Sequence, residues 1–138
     1  MRPWTAWLLA AALAACAQPP AAERAPLLGT YWRAIEIEGA PYSAPAGARE
    51  IHLVFSGERV SGFTGCNSLS GGFEQDAGSL RFKALAMTRM ACLPVMALEA
   101  RFVSALNATA SQHIAGTVLE LRDKQGKVRV RLEARNPD

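Results

Sequence analysis

The stretch FTGCNSLSGG, residues 63–72, combines one cysteine with three glycines. It places Cys66 between Gly65 and Asn67 in a segment rich in glycine. Because glycine adopts positive φ without steric cost, this composition favours a bulge or tight bend over the centre of a strand. The cysteine could serve as a nucleophile, a metal ligand or half of a cross-link. Its role depends on the other cysteines of the chain.

The chain begins with the features of an export signal. Residues 1–16 read MRPWTAWLLAAALAAC, with one positive charge at Arg2 and an uncharged apolar run that leads to Cys16. The run is shorter than the about 20 residues that a membrane-spanning helix needs. Residues 13–16, LAAC, resemble the bacterial lipobox, in which the cysteine is lipidated. The resemblance predicts a lipoprotein signal peptide over residues 1–15; an ordinary signal peptide with an incidental cysteine is the alternative.

Lipidation of Cys16 predicts a protein that is held at a membrane by its acyl chains, since two or more chains attach a protein stably. Ala17 replaces the Asp that usually retains bacterial lipoproteins at the inner membrane, so we expect the outer membrane, with the protein facing the periplasm. The lipidated cysteine and a flexible tether rich in Pro and Ala occupy residues 16–26. One folded domain is expected over residues 27–135.

The cysteine count then predicts a cross-link. With Cys16 lipidated, Cys66 and Cys92 remain, and an even number of cysteines in an exported protein predicts a disulfide. A catalytic cysteine would need a base and an orienting group, yet the only histidines are His52, in a strand-like run, and His113, beside a predicted turn. Zinc needs about four ligands at close spacing, and neither a CxxC nor an HxxxH pattern is present. We therefore expect no catalytic residues, no metal site and no cofactor.

The net charge bears on the partner of the protein, and the period of its apolar residues bears on the fold class. A formal net charge of +3, spread along the chain, does not indicate a nucleic-acid partner. Alternation with a period of two predicts strands and hairpins at residues 30–39, 51–63, 69–75, 79–85, 118–123 and 128–134. In the last hairpin, acidic and basic residues share one face, which predicts cross-strand pairing.

One helix completes the predicted fold. From Pro94 the apolar residues recur every three to four positions, at Val95, Leu98, Phe102 and Leu106, which predicts an amphipathic helix over about residues 94–107. The predicted fold is therefore α+β, with a curved antiparallel sheet, a barrel-like meander, packed on one amphipathic helix near the C-terminal third.

Four stretches resemble the META domain family of HslJ-type bacterial lipoproteins. They are residues 28–32 (LGTYW), residues 60–67 (VSGFTGCN), residues 85–92 (LAMTRMAC), and Glu99 with Phe102. The resemblance covers about residues 27–133, although the loop 39–49 has no counterpart in it.

The resemblance also singles out a set of motif residues. These are Gly65, Asn67, Thr88, Arg89 and Glu99. We expect them to be architectural: Asn67 would bond the backbone of its own turn, while Thr88 and Arg89 would bond groups near the disulfide.

The resemblance implies an envelope lipoprotein linked to heat shock and to tolerance of antibiotics such as novobiocin, without established catalytic activity. We expect a non-enzymatic monomer that supports envelope stress tolerance through an unidentified envelope protein. One alternative is a periplasmic protein-binding module such as a lysozyme inhibitor, because residues 56–60 (SGERV) faintly resemble an S-G-x-x-Y loop that lacks its aromatic residue. The other alternative is a thiol redox protein that uses Cys66 and Cys92.

Overall fold

The computed structural model describes residues 23–136. The predicted signal peptide and the predicted lipidation site, Cys16, lie outside these residues. Within the described range, no helix combines the length and apolar character that crossing a membrane requires.

The described chain forms nine strands and one α-helix. In chain order these elements are β1 (Tyr31–Ile37), β2 (Ala40–Pro41), β3 (His52–Ser56), β4 (Arg59–Phe63), β5 (Ser68–Asp76), β6 (Ser79–Met87), a 3-10 turn (Leu93–Val95), α1 (Met96–Ala108), β7 (Ser111–Ala115), β8 (Val118–Arg122) and β9 (Val128–Arg135). The predicted helix is confirmed, but Pro94 lies in the 3-10 turn and α1 begins at Met96.

The strands form one antiparallel sheet that curves into a ring. The order is β2-β1-β3-β4-β5-β6-β7-β8-β9, and β1 also pairs with β9. The ring is not a regular barrel, because β6 and β7 pair only at Ser79 and Ser111. The predicted fold class, an α+β domain with a curved antiparallel meander and one helix, is confirmed.

A β-bulge in β1 keeps apolar side chains on the inner face of the ring. Trp32 and Ala34 are buried, as alternation requires, but the register against β9 then shifts between Ala34 and Glu36. The extra residue brings Ile37 inward and turns Glu36 to the outer face, where it pairs with Arg131. Strict alternation along the predicted strand 30–39 is therefore interrupted.

The core lies between the ring and the helix. Its largest fully buried side chains are Trp32, Phe55, Phe102, Ile37, Ile51, Leu53, Leu80, Leu106, Leu119, Leu121, Leu132 and Val60. The helix buries Phe102, Ala105 and Leu106 and contacts β1, β6 and β9. The predicted apolar stripe of the helix is therefore part of the domain core.

Two strands were not predicted. The short β2 pairs with the end of β1, and β7 pairs along its whole length with β8. His113 consequently lies inside β7, opposite Glu120, and not beside a turn. The expected cross-strand charge pairing is present: Arg131, on β9, bonds Glu120, on β8.

Candidate functional site: the disulfide and the segment it holds

The structure contains the disulfide between Cys66 and Cys92, with the two Cα atoms 5.8 Å apart. Cys66 lies in the β4–β5 connection, and Cys92 directly precedes the 3-10 turn that leads into α1. Cys66 is only 2% exposed. The bond therefore joins two connections at one end of the ring from the inside of the fold.

Asn67, beside the disulfide, uses all the hydrogen-bonding capacity of its side-chain amide. Its Nδ2 donates to Glu99 Oε1 at 3.0 Å and to the carbonyl oxygen of Met90 at 3.2 Å. Its Oδ1 accepts from the Thr88 hydroxyl at 2.9 Å and from the Met90 N–H at 2.7 Å. Asn67 is 2% exposed, so these partners replace water. We had expected the side chain to bond the backbone of its own turn. Its partners within residues 23–136 lie instead in two other segments, at Thr88 and Met90 and at Glu99.

Glu99 is the acceptor at the centre of this network. Its carboxylate also accepts the backbone N–H of Asn67 at 3.1 Å and the hydroxyl of the fully buried Thr64. Glu99 lies in the first turn of α1, where a negative charge interacts favourably with the helix dipole. The carboxylate thereby fixes the start of the helix against the β4–β5 connection.

The remaining motif residues divide into two groups. Gly65 has a φ of +103°, a conformation that requires glycine. Thr88 accepts the N–H of Ser68 at 3.1 Å while its hydroxyl donates to Asn67. Arg89 differs, because it is exposed and makes no hydrogen bond or ion pair within residues 23–136. The structure therefore unites Gly65, Asn67, Thr88 and Glu99 around the disulfide and leaves the Arg89 side chain outside this network.

The network holds an exposed apolar segment, residues 87–96. Within it Met90 is 61% exposed, Leu93 83% and Met96 44%. The backbone is fixed on both sides, by the hydrogen bonds of Met90 to Asn67 and by the disulfide at Cys92. Sequence reasoning missed this surface, because methionine and leucine usually signal a core and no period marks them as exposed.

His52 contacts β1 and the loop before β3. His52 is 9% exposed, stacks on Tyr31 with ring centroids 4.4 Å apart, and bonds the carbonyl of Glu50 through Nδ1. Burial, aided by the positive charge of Arg49, lowers the pKa of His52. Over residues 23–136, no cluster of three or more His, Cys, Asp or Glu side chains is arranged to hold a metal ion.

Residues 25–136 match the META domain family, and the chain belongs to this family. The META domain is not known as an enzymatic domain. None of the curated proteins matches the chain.

Two proteins solved by NMR have similar structures. One, from Burkholderia xenovorans, is 26% identical over 80% of this chain and 85% of its own, with a TM-score of 0.65. Another is 23% identical over 75% of this chain and 87% of its own, with a TM-score of 0.60, and shares the fold.

Proposed function

We propose that the protein is a lipid-anchored, non-catalytic protein of the bacterial outer membrane that faces the periplasm. In this proposal it supports tolerance of heat and of novobiocin-type antibiotics by contacting another envelope protein through residues 87–96. The observation that carries the proposal is the exposure of Met90 and Leu93 on a segment whose backbone is held by a disulfide and a buried hydrogen-bond network.

A held apolar segment supports protein contact on physical grounds. Contiguous apolar patches that are exposed on a folded domain mark sites of interaction with other proteins. Methionine adapts its shape to a partner, while a fixed backbone reduces the entropy that binding would otherwise cost. The segment also carries the charge of Arg89, an exposed side chain that makes no ion pair within residues 23–136.

The chemistry of the network supports a non-catalytic role. Cys66 and Cys92 form a disulfide beside Asn67, so neither provides a free thiol. The Glu99 carboxylate is already occupied by hydrogen bonds from Thr64 and Asn67, which leaves little capacity for a substrate. This arrangement stabilises a surface and offers no activated nucleophile.

Complementation in the parent bacterium tests the contact. A strain that lacks the gene would receive the wild type, a Met90→Ser/Leu93→Ser variant, or the control Leu28→Ser, which alters an apolar side chain 43% exposed elsewhere on the domain. We expect the wild type and the control to restore survival of heat and novobiocin, and the double variant to fail at equal protein level. Full rescue by the double variant would refute the proposed contact surface.

Lipid attachment needs its own test. We expect the wild type to incorporate labelled palmitate and to fractionate with the outer membrane, because acyl chains on Cys16 would anchor it. Cys16→Ser should remove both properties. An unlabelled wild-type chain in the soluble fraction would contradict the proposed anchor.

A further inference from the structure

A cavity of about 610 Å³ lies beside β1 and shares no lining residue with the segment 87–96. It is bordered by Tyr31 and Arg33 from β1, by Arg135 from β9, and by the loop 42–50. This volume falls within the range of about 300–1,000 Å³ that is typical of small-molecule sites. The loop is the one for which the family resemblance offered no counterpart.

The ionisable side chains that line the cavity are mainly basic. Three are arginines, Arg33, Arg49 and Arg135, and the only carboxylate among the lining residues is Glu50. Glu50 accepts hydrogen bonds from Arg135 Nη1 at 3.1 Å on Oε1 and at 3.2 Å on Oε2. Both oxygens of the Glu50 carboxylate therefore already accept from Arg135.

Arg49 has no carboxylate partner in the part of the chain that the structure describes. Its guanidinium carbon lies 4.4 Å from the centroid of the Phe63 ring, a cation–π contact that holds the charge in place without neutralising it. The loop in front of it is exposed, so the guanidinium edge is accessible.

Tyr42 adds a second donor to the cavity. Its hydroxyl oxygen accepts the N–H of Ile51 at 3.3 Å, and its own proton bonds no acceptor within residues 23–136. Arg33 uses Nε and Nη2 to bond Glu133, which leaves Nη1 without a hydrogen bond in the same range. The cavity thus presents unused donors on Arg33, Arg49 and Tyr42, while its one lining carboxylate already pairs with Arg135.

We propose that this cavity binds a small polar molecule through its carboxylate or phosphate group. The oxyanion would accept hydrogen bonds from Arg49 and Tyr42, because a guanidinium fork matches the planar edge of such groups and charge-assisted bonds of this kind are strong. The remainder of the molecule would lie along the loop 43–48, whose small side chains leave room for it.

Calorimetric titration of the purified full-length protein tests the site with matched probes. One pair is trialanine and its C-terminal amide, and the other is glucose 6-phosphate and glucose. We expect saturable binding of at least one oxyanion probe and much weaker binding of its uncharged counterpart. The pair that shows the difference identifies whether a carboxylate or a phosphate is the ligand group.

Variants connect the binding to named residues. Arg49→Gln should weaken the binding by about tenfold or more, since it removes a charge-assisted hydrogen bond. Tyr42→Phe should weaken it less, because it removes a neutral donor and keeps the ring. The matched control is Arg89→Gln, which removes the same charge from a side chain without a partner in the described range, and it should leave the affinity unchanged.

Several results would overturn the proposal. These are the failure of both oxyanion probes to bind at millimolar concentration, equal binding of charged and uncharged probes, and wild-type affinity in folded Arg49→Gln. An equal loss in Arg89→Gln would likewise overturn it, because it would show a general effect of net charge. Circular dichroism of each variant confirms that the fold is retained before its affinity is compared.

Discussion

The amide groups of Asn67 and the carboxylate of Glu99 are directly hydrogen-bonded across 32 positions of sequence. The backbone N–H of Asn67 donates to Oε2 at 3.1 Å and the side-chain Nδ2 donates to Oε1 at 3.0 Å. This pairing fixes the start of α1 against the connection between β4 and β5. The two ends of segment 87–96 are therefore held to the same point of the ring.

Loss of the Asn67 side chain should destabilise the domain strongly. Asn67→Ala leaves the Met90 N–H and the Thr88 hydroxyl without their acceptor and removes the side-chain donor to Glu99, which keeps the Asn67 N–H and the Thr64 hydroxyl. A buried donor or acceptor that loses its hydrogen-bond partner costs about 1–3 kcal/mol. We therefore expect the free energy of unfolding, measured in urea, to fall by about 3 kcal/mol. The control Asn107→Ala, at an exposed helical position, should change it by less than about 0.5 kcal/mol. Equal small effects for both variants would contradict the role of Asn67.

Removal of the disulfide should also lower stability. The bond closes a loop with a sequence separation of 26 residues. The chain-entropy relation gives about 3.5 kcal/mol for such a loop. We expect Cys66→Ala/Cys92→Ala to unfold at correspondingly lower urea, and dithiothreitol to weaken the wild type but not the double variant. A double variant as stable as the oxidised wild type would show that the cross-link does not stabilise the native state.

Glycine at 62 is predicted to be irreplaceable, whereas glycine at 72 is not. A Cβ at Gly62 would lie 2.1 Å from the backbone oxygen of His52, on the paired strand, whereas at Gly72 the nearest atom is 3.5 Å away. Gly62→Ala should therefore cost at least about 3 kcal/mol or prevent folding, while Gly72→Ala should cost about 1 kcal/mol or less. Thermal unfolding of the two variants provides the measurement. Similar melting temperatures would contradict the close approach of β3 and β4.

Stability should depend on pH through His52. Burial is the main cause of its lowered pKa, with a further contribution from the positive charge of Arg49. The unfolded chain, with the ordinary pKa of about 6.5, takes up the proton first as the pH falls. The free energy of unfolding is therefore highest above this pH and declines as the pH falls below it towards the lowered folded-state pKa. We expect a larger decline between about pH 7.5 and 5.5 in the wild type than in His52→Phe, which keeps a ring against Tyr31. Identical declines in urea titrations would refute this account.

Arg131 should stabilise the outer face of the ring in a salt-dependent manner. Its guanidinium bonds Glu36 on β1 at 2.6 Å and Glu120 on β8 at 3.1 Å, so one side chain connects three strands. Because these groups are partly exposed, Arg131→Gln should cost only about 1 kcal/mol at low salt. The difference in unfolding free energy between wild type and Arg131→Gln should shrink in 1 M NaCl, where the Debye screening length is only about 3 Å. Arg89→Gln, as control, should show no difference at either salt concentration.

The helix and most strands could be predicted from local patterns. Period two identified the final hairpin, in which Leu119, Leu121, Val130 and Leu132 are all buried. The strand β7 escaped prediction because Ser111–Ala115 has mixed polarity, and its pairing with β8 compensates for a weak local preference. The bulge in β1 was equally hidden, since it depends on the register against β9, far away in the sequence.

The candidate site was only partly predictable. The family resemblance selected Asn67 and Glu99 as separate positions, and the even cysteine count predicted the disulfide. The hydrogen bonds between the two residues connect distant segments, and no local period encodes such a contact. The exposure of Leu93 was unpredictable for the same reason, because burial is decided by neighbours that only the folded chain supplies.

The pairing of β1 with β9 governs when folding can finish. Arg33 and Glu133, which face each other across these strands, are 100 residues apart. The ring therefore cannot close during synthesis until the final strand has left the ribosome, and the entropy of that long loop is lost before the contacts form. We expect folding in milliseconds to seconds and, until then, a nascent chain whose apolar strand faces need protection from aggregation.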